Sequence, residues 1–66
     1  MKVRVNGRDV DVAADATVAD VLRAVDAPAT GVAVAVDGAV VPRGAWASTA
    51  LCEGAAVEVL TAVQGG

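Results

Sequence analysis

The sequence predicts an α+β fold, one short helix crossing one face of a small mixed sheet, with elements in the order β-β-α-β-β-β. Three observations carry this. Asn6-Gly7 and Asp37-Gly38 each sit between alternating apolar runs, which is the strongest short-range signal for a tight hairpin. Thr17 precedes Val18, Val21, Leu22 and Val25, an i, i+3, i+4, i+7 stripe. A closing β-rich run spans Ala56 to Val63.

The first hairpin can be registered from charge. With Asn6 and Gly7 as the loop, Val5 faces Arg8, Arg4 faces Asp9, Val3 faces Val10, Lys2 faces Asp11 and Met1 faces Val12. Opposite charges then pair on one face and aliphatics on the other, and a slip of one residue breaks both sets. The stripe gives a helix over about Val18 to Val25, with Thr17 as N-cap and Asp20 as the acidic partner of an imperfect capping box. Pro28 disfavours helix in the residue before it and ends the run. Val32 to Val36 alternates large and small, Asp37-Gly38 turns the chain, and Ala39-Val40-Val41 answers before Pro42. Arg43 to Cys52 has no clean period and reads as a connection with one helical turn. Glu53-Gly54 then turns the chain into the last strand. If first and last strands lie side by side at the sheet centre they run parallel, and the arrangement is a β-grasp.

Composition bounds what such a chain can do. Sixty-six residues make one domain with one modest core. Hydrophobic residues are 56% of it, overwhelmingly Ala and Val, with a single Trp. No apolar run approaches the ~20 residues that span a bilayer, and no signal peptide opens the chain, so it is expected to be soluble and cytoplasmic, with no membrane partner. The net charge is −3 and the five basic residues, Lys2, Arg4, Arg8, Arg23 and Arg43, are scattered, which argues against a nucleic-acid partner. One cysteine gives no intrachain disulfide, and without histidine there is no Cys/His metal site of ordinary spacing and no usual general base. The chain is expected not to be an enzyme and to bind no metal or cofactor.

Its most informative feature is the end, Gln64-Gly65-Gly66, following directly on the last strand. Two residues without Cβ atoms can be threaded into a narrow channel of another protein. Residues 1–64 are accordingly read as the folded domain and 65–66 as a flexible tail that presents the Gly66 carboxylate. Further residues stand out on physical grounds. With Val57, Val59 and Val63 facing the helix, Glu58, Leu60 and Ala62 face outward, so Leu60 is an exposed apolar contact near the tail. Trp46 is expected over the sheet end as core area. Arg43 is either a solvated charge or a partner for an acidic site on another protein. Cys52 is expected to be a small buried hydrophobe.

At this point the chain resembles a known family, the ubiquitin-like sulfur carriers, and most closely the ThiS family of thiamine biosynthesis. The resemblance covers essentially all the chain. It rests on the first hairpin, Thr17-Val18-Ala19-Asp20-Val21-Leu22, Val34-Ala35-Val36 running into Val40-Val41-Pro42-Arg43, then Trp46, Leu51, Glu53-Gly54, Val57-Glu58-Val59 and Gly65-Gly66. The stretch Val41 to Trp46, Val-Pro-Arg-x-x-Trp, points to this family over other small carriers. Two departures stand out: Ala55 follows Gly54 where the family often has Asp, and Cys52 is not a position that the family's mechanism uses.

The resemblance implies a β-grasp fold and a sulfur-carrying co-substrate. Gly66 would be adenylated by a ThiF-like enzyme that uses ATP, then converted to a thiocarboxylate by a sulfur donor. A ThiG-like thiazole synthase would receive the sulfur. Gly65 and Gln64 would thread the tail, and Leu60, Glu58 and Arg43 would dock the partner. Alternatives from the same residues are the small subunit of molybdopterin synthase, whose tail usually carries prolines absent from Ala62-Val63-Gln64, a ubiquitin-like protein modifier, and an interaction module with an incidental tail.

Overall fold

The computed structural model describes residues 1–28 and 30–61. Both hairpins form on the expected turns: β1 (Lys2–Val5) with β2 (Arg8–Asp11), and β3 (Val32–Val36) with β4 (Ala39–Val41). Asn6 and Gly7 have φ of 51° and 84°, Asp37 and Gly38 of 50° and 86°, so each loop is left-handed at both positions, the twist that two-residue hairpins require. The first hairpin has the register set by charge: Lys2 opposite Asp11, Val3 opposite Val10, Arg4 opposite Asp9, Val5 opposite Arg8. Val12 N–H donates to the Met1 carbonyl at 2.7 Å, which carries the pairing to the chain end.

The last strand, β5 (Ala56–Thr61), runs parallel to β1 and antiparallel to β3, giving the sheet order β2-β1-β5-β3-β4. This is the β-grasp arrangement. The expected continuation of β5 to Val63 lies outside the described residues.

Helix α1 (Val18–Ala24) packs its stripe onto the sheet. Val18 and Val21 are fully buried, among Val3, Val5, Leu22, Val34, Trp46, Leu51 and Val57. Burial of each Val or Leu is worth roughly 1.5–3 kcal/mol, and a helix this short depends on that packing rather than on its own propensity. The capping box is complete, not imperfect: Asp20 N–H donates to Thr17 Oγ1 at 3.3 Å and Thr17 N–H donates to Asp20 Oδ2 at 3.0 Å. The helix stops before Pro28 acts. Asp26 is left-handed at φ 59°, its N–H donates to the Arg23 carbonyl, and Ala27 N–H donates to the Leu22 carbonyl. That is a Schellman ending, which satisfies the last carbonyls without help from proline.

The connection after β4 is a 3-10 helix, Arg43–Ser48, with Trp46 buried as expected and its Nε1 donating to the Val41 carbonyl at 2.9 Å. A bridge of Thr17 with Ala50 ties it to the helix start, through Val18 N–H to the Thr49 carbonyl and Leu51 N–H to the Ala16 carbonyl.

Cys52 corrects an expectation, since it is exposed rather than buried. Leu51 takes the inward place, and the next side chain lies out in solvent. Ala55, where an acidic residue is common in the resembling family, is buried, and the turn before it closes through backbone. Ala55 N–H donates to the Cys52 carbonyl and Gly54 N–H to the Lys2 carbonyl, while the Glu53 carboxylate accepts from Lys2 N–H.

Candidate functional site

Strand directions decide where the site lies. β5 is parallel to β1, and β4 runs in the same sense as β5 because both are antiparallel to β3. The C-terminal ends of β1, β4 and β5 therefore gather at one end of the sheet. That end presents the Asn6-Gly7 turn, the Pro42-Arg43 exit from β4, and Thr61, after which the chain continues to Gly66. The α1 ending arrives there as well: a cleft beneath it is lined by Val25, Asp26 and Pro28 on one side and by Asn6, Val59 and Thr61 on the other.

The face of the sheet away from the helix is divided. Over β1 and β2 it is charged, with Arg4 Nε 3.5 Å from Asp9 Oδ1. Over β5, β3 and β4 it is largely apolar. Leu60, 63% exposed, stands opposite Ala33, and Glu58 and Val40 flank Ala35 from the two neighbouring strands, Val40 being 76% exposed. The alternation of Val and Ala in β3 makes this surface, because each Val turns to the core and each Ala leaves a shallow place between Leu60 and Val40.

Of the residues expected to dock a partner, Leu60 and Glu58 share this outer face, on adjacent positions of one face of β5. Arg43 lies at the same end, its guanidinium carbon 6.0 Å from the Trp46 ring centroid, a cation-π placement on the one aromatic of the chain. Gln64, Gly65 and Gly66 lie outside the described residues. Val40 and Asn6 belong to the same region; the sequence places them in a strand and a turn and gives neither a part in the site.

The Thr17–Asp20 box lies away from this end. The Asp20 carboxyl is held below the ordinary carboxylate range, first by the Thr17 backbone N–H, then by the Arg23 guanidinium at 2.6 Å and the Thr17 hydroxyl, with burial acting in the opposite direction. Among the described residues no His/Cys/Asp/Glu group could hold a metal ion, and no helix is long and apolar enough to cross a membrane.

Comparison with known proteins bears on the whole of this arrangement. The ThiS family model matches residues 3–66. No curated protein sequence matches. A crystal structure of the thiamine biosynthesis protein ThiS from Geobacter metallireducens superposes with a TM-score of 0.84 at 36% identity, covering 100% of both chains. A solution NMR structure of a thiamine biosynthesis protein from the same organism gives 0.78 at 38% identity, covering 100% of this chain and 88% of the other. The match takes in the hairpins, the helix and the Val41 to Trp46 stretch, and it runs on through the final Gly-Gly. The chain therefore belongs to the ThiS family, the β-grasp sulfur carriers of thiamine biosynthesis.

Proposed function

We propose that this protein carries sulfur as a thiocarboxylate on Gly66 for formation of the thiazole ring of thiamine. The observation that carries the reading is the family match through residue 66, on a chain whose β5 is an internal strand of the sheet and is followed in sequence, five residues on, by Gly66. A carboxylate is a poor electrophile, because attack adds negative charge to a group that is already anionic. Activation answers this. A Gly66 oxygen attacks the α-phosphorus of ATP on a ThiF-like adenylating enzyme, pyrophosphate leaves, and the acyl-adenylate has a good leaving group. A persulfide sulfur from the donor attacks the acyl carbon and AMP departs. A thiol then cleaves the S–S bond, leaving the thiocarboxylate, which a ThiG-like thiazole synthase consumes.

The chain supplies no catalyst in this scheme; it is a recycled co-substrate that works in the cytoplasm, and the ATP belongs to the partner. Gly65 and Gln64 thread the partner's channel, where side chains would obstruct. Leu60 anchors the docking, as a large apolar group in a shallow alanine surface, with Glu58 and Arg43 as charged contacts at its margin. The net charge of −3 favours approach to basic partner surfaces.

The test is intact mass after incubation with ATP, the adenylating enzyme and a sulfur donor, for the full chain and for one lacking Gly66. The expected result is a gain equal to the exchange of one oxygen for sulfur, on the full chain only. No gain, with partners proven active on another carrier, would overturn the reading and favour a protein modifier or an interaction module.

A further inference from the structure

The turn residue Asn6 does more than turn the chain. β1 pairs with β5 only at Arg4–Ala56 and Val5–Val57 and then departs into its hairpin. Beyond that point β5 would have a bare edge on the β1 side. Asn6 fills it: its N–H donates to the Val57 carbonyl at 2.9 Å, and its side chain then meets both backbone groups of Val59, Nδ2 donating to the carbonyl at 3.1 Å and Oδ1 accepting from the N–H at 2.8 Å. A carboxamide thus stands in for the next residue of a strand that is no longer there.

The other hairpin isolates what is special here. Asp37 occupies the equivalent turn position and also grips β5, at Ala56, but its own backbone N–H donates to the Ala56 carbonyl, so its side chain has only to accept from Ala56 N–H, at 3.0 Å. A carboxylate suffices for that. At Val59 both a donor and an acceptor must come from one side chain, which an ionised Asp cannot provide and Asn can. Asn and Asp serve such turns alike, so turn geometry alone does not select Asn at position 6.

Resting on the sulfur-carrier reading, we propose that Asn6 is a positioning residue for activation of the tail. Its carboxamide holds β5 in the sheet as far as Val59, next to Leu60, and so sets the direction in which the chain leaves toward Gly66. The partner then meets the docking residue and the departing tail in a fixed relation, and less order has to be imposed at binding.

The test uses Asn6→Asp and Asn6→Gly in the full chain, since both tolerate the left-handed turn and neither supplies the pair of bonds. On the chain alone, amide hydrogen exchange at Val59 should accelerate by about tenfold in Asn6→Gly, which loses the acceptor of the Val59 N–H, and less in Asn6→Asp, whose carboxylate can still accept that bond but cannot donate to the Val59 carbonyl, with exchange at Val34 and Val57 unchanged. With the adenylating enzyme at saturating ATP, followed by pyrophosphate release, KM for the carrier should rise about threefold to tenfold with kcat unchanged. Unchanged exchange at Val59 in Asn6→Gly would overturn the clamp, and lost protection there with unchanged KM would overturn its role in presentation. Failure of the wild-type chain to be adenylated, by an enzyme active on another carrier, would instead overturn the carrier reading and the presentation role with it, while the exchange result decides the clamp by itself.

Discussion

Leu60 on β5 stands directly across from Ala33 on β3, and one row further along the same face Val40 on β4 stands across from Ala35. Two large exposed side chains are thus separated by alanines and approachable together. Leu60→Asp is expected to weaken binding to the adenylating enzyme by at least tenfold, the size of effect that a buried interface anchor carries. Its melting temperature should stay close to that of wild type, because Leu60 is 63% exposed. Val40→Asp should weaken the same complex, and less, being further from the β5 end. Affinity by calorimetry and melting by circular dichroism check both; unchanged affinity for Leu60→Asp removes this face from the interface.

The Thr17–Asp20 box makes a prediction about acid. The Asp20 carboxyl is held low in the folded chain by the Thr17 N–H, the Arg23 guanidinium and the Thr17 hydroxyl. A depressed carboxyl contributes stability that is fully present above the ordinary Asp range, near about 4, and is lost as pH falls through its lowered folded value. Asp20→Asn should therefore flatten that part of the acid limb in chemical denaturation, with little change of slope above it. Thr17→Ala should cost about 1 kcal/mol near neutral pH, the usual value of an N-cap. An acid limb identical to wild type in Asp20→Asn would sink the assignment.

How much of this was legible beforehand depended on the kind of interaction. The hairpins, their register and the helix stripe were readable because each is set by local pattern: a turn dipeptide, a charge alternation, a helical spacing. The outward place of Leu60 followed from the same period of two. Val40 was readable in principle, since a turn at Asp37-Gly38 puts it opposite Ala35, but its exposure depends on β4 being an edge strand, which is a matter of topology. Cys52 was misjudged because average burial of cysteine says nothing about a loop in which Leu51 already fills the core. The reach of Asn6 to Val59 spans 53 residues and has no local signature. The Schellman ending at Asp26 was hidden behind Pro28, the louder signal.

Trp46 offers a direct measure of the core. The residue is 8% exposed, its Nε1 donates to the Val41 carbonyl, and the Arg43 guanidinium stands over its ring. Trp46→Ala removes roughly 3–5 kcal/mol, a large share of what a domain this small possesses at about 0.05–0.15 kcal/mol per residue. The variant should be largely unfolded at room temperature. Trp46→Phe keeps the apolar ring, loses the bond to Val41, and should fold with reduced stability. Arg43→Ala removes, with its other interactions, a cation-π contact worth about 0.5–1 kcal/mol at an exposed site. If Arg43→Ala nonetheless weakens the enzyme complex several-fold, its role is in docking; if stability and affinity both hold, it has neither role.

Cys52 separates two uses of sulfur. The thiol is exposed, so a thiol reagent should modify it in the native chain without denaturant and without unfolding. Because the side chain leaves the core to Leu51, Cys52→Ser should melt with the wild type. If sulfur reaches Gly66 only through the adenylate, the variant should also gain the thiocarboxylate at the wild-type rate and extent, read by intact mass over time. A slowed or missing mass gain in Cys52→Ser, with adenylation unchanged, would mean that sulfur passes through this residue on its way to the tail, and the route through a separate donor acting directly on Gly66 would have to be abandoned.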